Sequence, residues 1–113
     1  MKLWRAISSM LGLKGRTAAQ LRRAMALSKE KRFNDALEIY NSLVADPTVA
    51  GNIKAQALFN RALTHSALGH PEEAAHDLQR IVGDPTAPAN VQSAARLRLQ
   101  RVKTKSQRGG KLY

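Results

Sequence analysis

Apolar residues recur along most of this chain at steps of three and four, the spacing of helices with one buried face. Leu3, Trp4, Ile7, Met10 and Leu11 share an arc of about 120° at 100° per residue, with Lys2, Arg5, Ser8 and Ser9 opposite them. Gly12 and Gly15 predict a short linker over residues 12–16, and Thr17 is placed to cap the N-terminus of the next helix. The stripe Leu21, Ala24, Met25 and Leu27 predicts a helix that the KEKR run at residues 29–32 closes. A second helix opens at Asn34 or Asp35, buries Ala36, Leu37, Tyr40, Leu43 and Val44, and stops at Asp46-Pro47. Residues 54–82 predict two antiparallel helices joined at Gly69-His70-Pro71, and residues 90–103 one helix more. After Val102 the apolar period is lost and a basic, Gly-containing tail is expected to be flexible.

The pattern repeats. At an offset of 38 residues, LEIYNSLVADPTVAGNIKAQA overlies AHDLQRIVGDPTAPANVQSAA without a gap. Arg23 meets Arg61, Ala24 meets Ala62, Ala36 meets Ala74, and Ala57 meets Ala95. The triplet Asp46-Pro47-Thr48 returns as Asp84-Pro85-Thr86. The repeat predicts two helical hairpins and the first helix of a third unit. A single hairpin cannot bury its apolar face alone, so the units are expected to stack.

ALFNRALTHSALGHPEEA, residues 57–74, resembles the tetratricopeptide repeat: Leu58 at the large apolar position, Ala62 at the small one, Gly69 at the turn, then Ala74 and Leu78. Ala24, Phe33, Ala36 and Tyr40 carry the same resemblance in the first unit. Arg23 and Arg61 depart from it, standing where the family usually has Leu, and His65 replaces an aromatic. The resemblance implies an all-α fold, a short antiparallel helix-hairpin solenoid over residues 17–103. Residues 1–16 would add an amphipathic basic helix and linker, and residues 104–113 a flexible basic tail.

The resemblance also implies a ligand groove lined by the first helix of each unit. In this sequence those positions are Leu21, Arg22, Met25, Ser28 and Lys29, then Gln56, Phe59, Asn60, Leu63 and Ser66, then Ala94, Leu97, Arg98, Arg101 and Lys105. Asn60 and Arg98 fall where chaperone-tail-binding members hold a terminal carboxylate. Leu21, Met25 and Ala94 lack the other groups of that clamp. The expectation is therefore a looser site in which Arg22, Met25, Lys29, Phe59, Asn60, Leu63, Arg98, Arg101 and Lys105 meet an acidic or amphipathic segment of another protein.

Charge sharpens this picture. The net charge of +11 divides into +8 over residues 1–32, −4 over residues 33–92 and +7 over residues 93–113. Basic ends around an acidic middle suit a polyanionic partner. The stretch carrying Leu3, Trp4, Arg5, Ile7, Met10 and Leu11 fits docking on an anionic membrane surface or on a partner, and it also fits a cap folded over the chain's own groove. The basic ends suit nucleic acid, such as ribosomal RNA, as an alternative, although no RNA-binding signature accompanies them.

Catalytic chemistry is sparse. Glu72 and His76 lie one turn apart, but no third ligand is spaced to complete a metal site with them. There is no nucleophile elbow, phosphate-cradling Gly loop or acid pair at catalytic spacing. No enzyme activity, metal, cofactor or small-molecule substrate is expected. The absence of cysteine fits a reducing compartment, and a cytoplasmic adaptor, peripheral on a membrane or not, is the expectation.

Overall fold

A computed structural model of the chain describes the backbone of residues 2–111 and the side chains of residues 15–105. Five helices make up the described residues: α1 Lys2–Lys29, α2 Phe33–Ala45, α3 Gly51–Ala67, α4 Pro71–Val82 and α5 Ala89–Lys111. Each packs on its neighbour in sequence. In addition α1 lies against α3 and α3 against α5, so the odd-numbered helices form one layer and the even-numbered helices the other. This is the stacked-hairpin solenoid that the 38-residue repeat predicts.

The repeat is kept at the level of single hydrogen bonds. At the end of α1, the Arg32 N–H donates to Leu27 O at 2.9 Å and the Lys31 N–H to Ser28 O at 3.0 Å. At the end of α3, the His70 N–H donates to His65 O at 2.8 Å and the Gly69 N–H to Ser66 O at 3.1 Å. This pair of bonds closes a helix only if the residue after it turns left-handed. Gly69 does so at φ 79, and Lys31, at the equivalent position, does so at φ 62.

Between hairpins, Asp46 Oδ1 accepts from the Thr48 N–H at 2.9 Å and from its hydroxyl at 2.7 Å. Asp84 does the same for Thr86, at 2.9 and 2.6 Å. These bonds hold both carboxyls below their usual pKa, the side-chain bond to the threonine contributing most. The turn drops Val49 and Ala87, both buried, onto the core.

Small residues set how closely the helices approach. Ala24, Ala36, Ala57, Ala62, Ala74 and Ala95 are all fully buried, and they are three pairs related by the repeat. Leu21, Tyr40, Leu43 and Val49 surround the first set, while Leu58, Leu78, Ile81 and Ala87 surround the second. Val44 packs against both clusters and joins them.

Four local expectations are corrected. The linker at residues 12–16 is helical, so neither Gly12 nor Gly15 ends α1. A single glycine costs a helix interior only about 1 kcal/mol, too little to break one held on both sides. Thr17 is consequently an interior residue of α1, 5% exposed, and not a cap. The tail is helical as far as Lys111, because Arg, Lys and Gln propagate a helix already nucleated by packing. An unbroken α1 also rules out the segment of residues 1–13 folding back over its own groove. The side chains of Leu3, Trp4, Arg5, Ile7, Met10 and Leu11 lie outside the described residues.

Candidate functional site

The α1, α2 and α3 helices line an open cavity of about 590 Å³. Of the residues that the resemblance assigns to a groove, Arg22, Met25 and Lys29 of α1 line it, together with Asn60 and Leu63 of α3. Phe33 of α2 completes the apolar wall. Met25 is 41% exposed, a large apolar side chain left facing solvent. Neither Arg22 nor Lys29 pairs with an acid among the described residues.

Beneath this rim lie three hydroxyls. Ser28 Oγ stands 3.1 Å from Thr64 Oγ1 and 3.5 Å from the Tyr40 hydroxyl, and the Thr64 hydroxyl donates to Asn60 O at 2.9 Å. Tyr40 is fully buried and Thr64 nearly so. Burial pushes the Tyr40 pKa up, against the opposing bonds to Ser28 and Thr64, so the phenol stays neutral. Asn60 ties its amide to its own helix by donating Nδ2–H to Gln56 O at 2.8 Å.

The remaining candidates are not in this cavity. Phe59 is half-buried and packs on the second core cluster. Arg98, Arg101 and Lys105 are exposed on α5, where Arg101 and Lys105 line a separate shallow surface pocket. Leu97, the repeat equivalent of Leu21 and Phe59, is 53% exposed beside them. The odd-numbered face therefore has an apolar hollow at one end and a row of cations at the other.

Sequence reasoning missed Asp77. It is 2% exposed and binds Arg61 at two points, Nε to Oδ2 at 2.8 Å and Nη2 to Oδ1 at 2.6 Å. Arg61 also donates Nη1–H to Asn41 Oδ1 at 3.1 Å, joining α3 to α4 and α2. The signal was present: an arginine at a position usually apolar, with an acid at Asp77 where the other hairpin has Ile39. Arg23 has no such acid opposite it and is exposed. Near this pair the His65 ring stands 5.8 Å from that of His70, and its Nδ1 is buried without a hydrogen bond. Burial lowers the His65 pKa. Asp77 works against that shift and Arg61 with it. Among the described residues, no three His, Asp or Glu side chains are grouped so as to hold a metal.

Residues 18–47, covering the first hairpin, match the tetratricopeptide repeat family. The first hairpin is a tetratricopeptide repeat. No curated protein and no solved structure matches it. The tetratricopeptide repeat is a protein–protein interaction module, in general non-catalytic. No helix among the described residues is long and apolar enough to cross a membrane.

Proposed function

We propose that the chain is a non-catalytic adaptor that binds an acidic or amphipathic segment of another protein along the face formed by α1, α3 and α5. The observation that carries this reading is the pairing of an apolar hollow with Arg22 and Lys29, cations that no acid of the chain neutralises among the described residues. A carboxylate that arrives with an apolar neighbour satisfies the cation and the wall together, which a free anion does not. Arg98, Arg101 and Lys105 extend the same attraction along α5, so a segment of several residues fits better than a single group. The hydroxyls of the cavity support no reaction. No general base lies beside them among the described residues, and the Tyr40 phenol is held neutral.

The test is anisotropy of a labelled acidic amphipathic peptide with the whole chain. Arg22→Glu combined with Lys29→Glu is expected to weaken binding by about ten-fold or more. Raising salt from about 0.05 to about 0.5 M is expected to weaken the wild-type complex in the same direction. Unchanged binding by the charge-reversed chain would remove this reading. Tighter binding of a single-stranded RNA of equal charge would replace it with the nucleic-acid one. Attachment of the amphipathic stretch of residues 1–13 to anionic vesicles is a separate arm, read by deleting that stretch.

A further inference from the structure

The polar floor of the cavity between α1, α2 and α3 has a direction. The Thr64 hydroxyl hydrogen is committed to Asn60 O at 2.9 Å, because a carbonyl oxygen can only accept. In the 3.1 Å contact between Ser28 and Thr64, Ser28 must then be the donor. The Tyr40 hydroxyl lies a long 3.5 Å from Ser28 Oγ. The Thr64 and Ser28 hydrogens are therefore both used within the network. What the half-buried Ser28 Oγ offers to a visitor is a lone pair.

We infer that the cavity takes a tyrosine or tryptophan side chain from an acidic segment of the partner, its O–H or N–H donating to Ser28 Oγ while Arg22 and Lys29 hold carboxylates beside it. This rests on the acidic-segment reading above and adds the residue the segment must carry. An anion at the floor would face lone pairs, so the acidic groups belong at the rim. A phenylalanine or leucine would suit Met25, Phe33 and Leu63, but would strip water from Ser28 without replacing its hydrogen bond. Large aromatics with a polar tip are the side chains that satisfy both the apolar wall and the accepting floor. A cavity of about 590 Å³ has room for one.

Four fluorescein-labelled decapeptides with identical acidic flanks and a central Tyr, Trp, Phe or Leu test this against the full chain. The Tyr and Trp peptides are expected to bind about five-fold tighter than the Phe and Leu peptides. Ser28→Ala, with its thermal melt matched to wild type, is expected to erase that gap. If that variant misfolds, the Tyr against Phe comparison on the wild-type chain decides alone. Equal binding of all four overturns the inference and leaves the acidic-segment reading standing. Binding of none, including exclusion of peptide by a second copy of the chain, overturns both.

Discussion

Arg61 and Asp77 meet through two hydrogen bonds of 2.8 and 2.6 Å, at positions where other units carry Leu99 and Ile39. The side chains are 16% and 3% exposed, so breaking the pair strands a charge largely out of water. Asp77→Ala is expected to destabilise the fold by about 3 kcal/mol. Arg61→Leu with Asp77→Ile, which copies Leu99 and Ile39 of the neighbouring units, should return to within about 1 kcal/mol of wild type. Urea unfolding followed by circular dichroism measures both. A double variant as unstable as Asp77→Ala would mean that the pair is not replaceable by packing.

Lys31 bears the strain that Gly69 avoids at the same place in the repeat. A side chain in the left-handed region costs about 1–2 kcal/mol, part of which glycine returns as entropy of the unfolded chain. Lys31→Gly should therefore stabilise the protein by about 0.5–1 kcal/mol, and Gly69→Ala should destabilise it by a similar amount. Opposite shifts in the chemical-denaturation midpoint are the readout, and equal signs would refute the equivalence of the two turns.

The buried alanines leave no room for growth. Ala62→Leu or Ala74→Leu is expected to cost about 1–3 kcal/mol through forced separation of α3 and α4. Ala26→Leu, at an exposed position on α1, should change stability by less than about 0.5 kcal/mol. Melting temperatures of the three variants side by side check this.

His65 makes stability depend on pH. Its folded pKa lies below the ordinary 6.5, chiefly through burial, so the folded state favours the neutral ring. On acidification the unfolded chain takes up this proton first. The contribution of His65 is thus complete above about pH 6.5 and is lost as pH falls through the folded pKa. His65→Gln should flatten the slope of unfolding free energy against pH just below 6.5. An unaltered slope would place the titrating group elsewhere.

Periodicity and self-similarity were enough to read the hairpins, the six repeat-related alanines and the turn at Gly69. These features are local, or are repeated so that each copy supports the other. What was not legible depended on context. Gly12 and Gly15 look like breakers because propensity counts residues singly, whereas α1 is carried across them. Met25, Arg22 and Lys29 were placed on the groove by the family resemblance, and the cavity brings them together. Phe59 was placed there by the same rule but turns to the core, since a large aromatic beside Leu58 and Ala62 gains more from burial. The Ser28, Thr64 and Tyr40 contacts span up to 36 residues and leave no mark in any local pattern.

The Asp-Pro-Thr turn looks like a mere connector, yet it is built twice with the same two bonds to one carboxylate oxygen. It therefore fixes the screw by which one hairpin is carried onto the next. If a partner lies along α1, α3 and α5 as proposed, the interval between its contact residues must match the pitch of that screw. That pitch is thus held by Thr48, between the two hairpins, and Thr86, between α4 and α5, both outside the cavity.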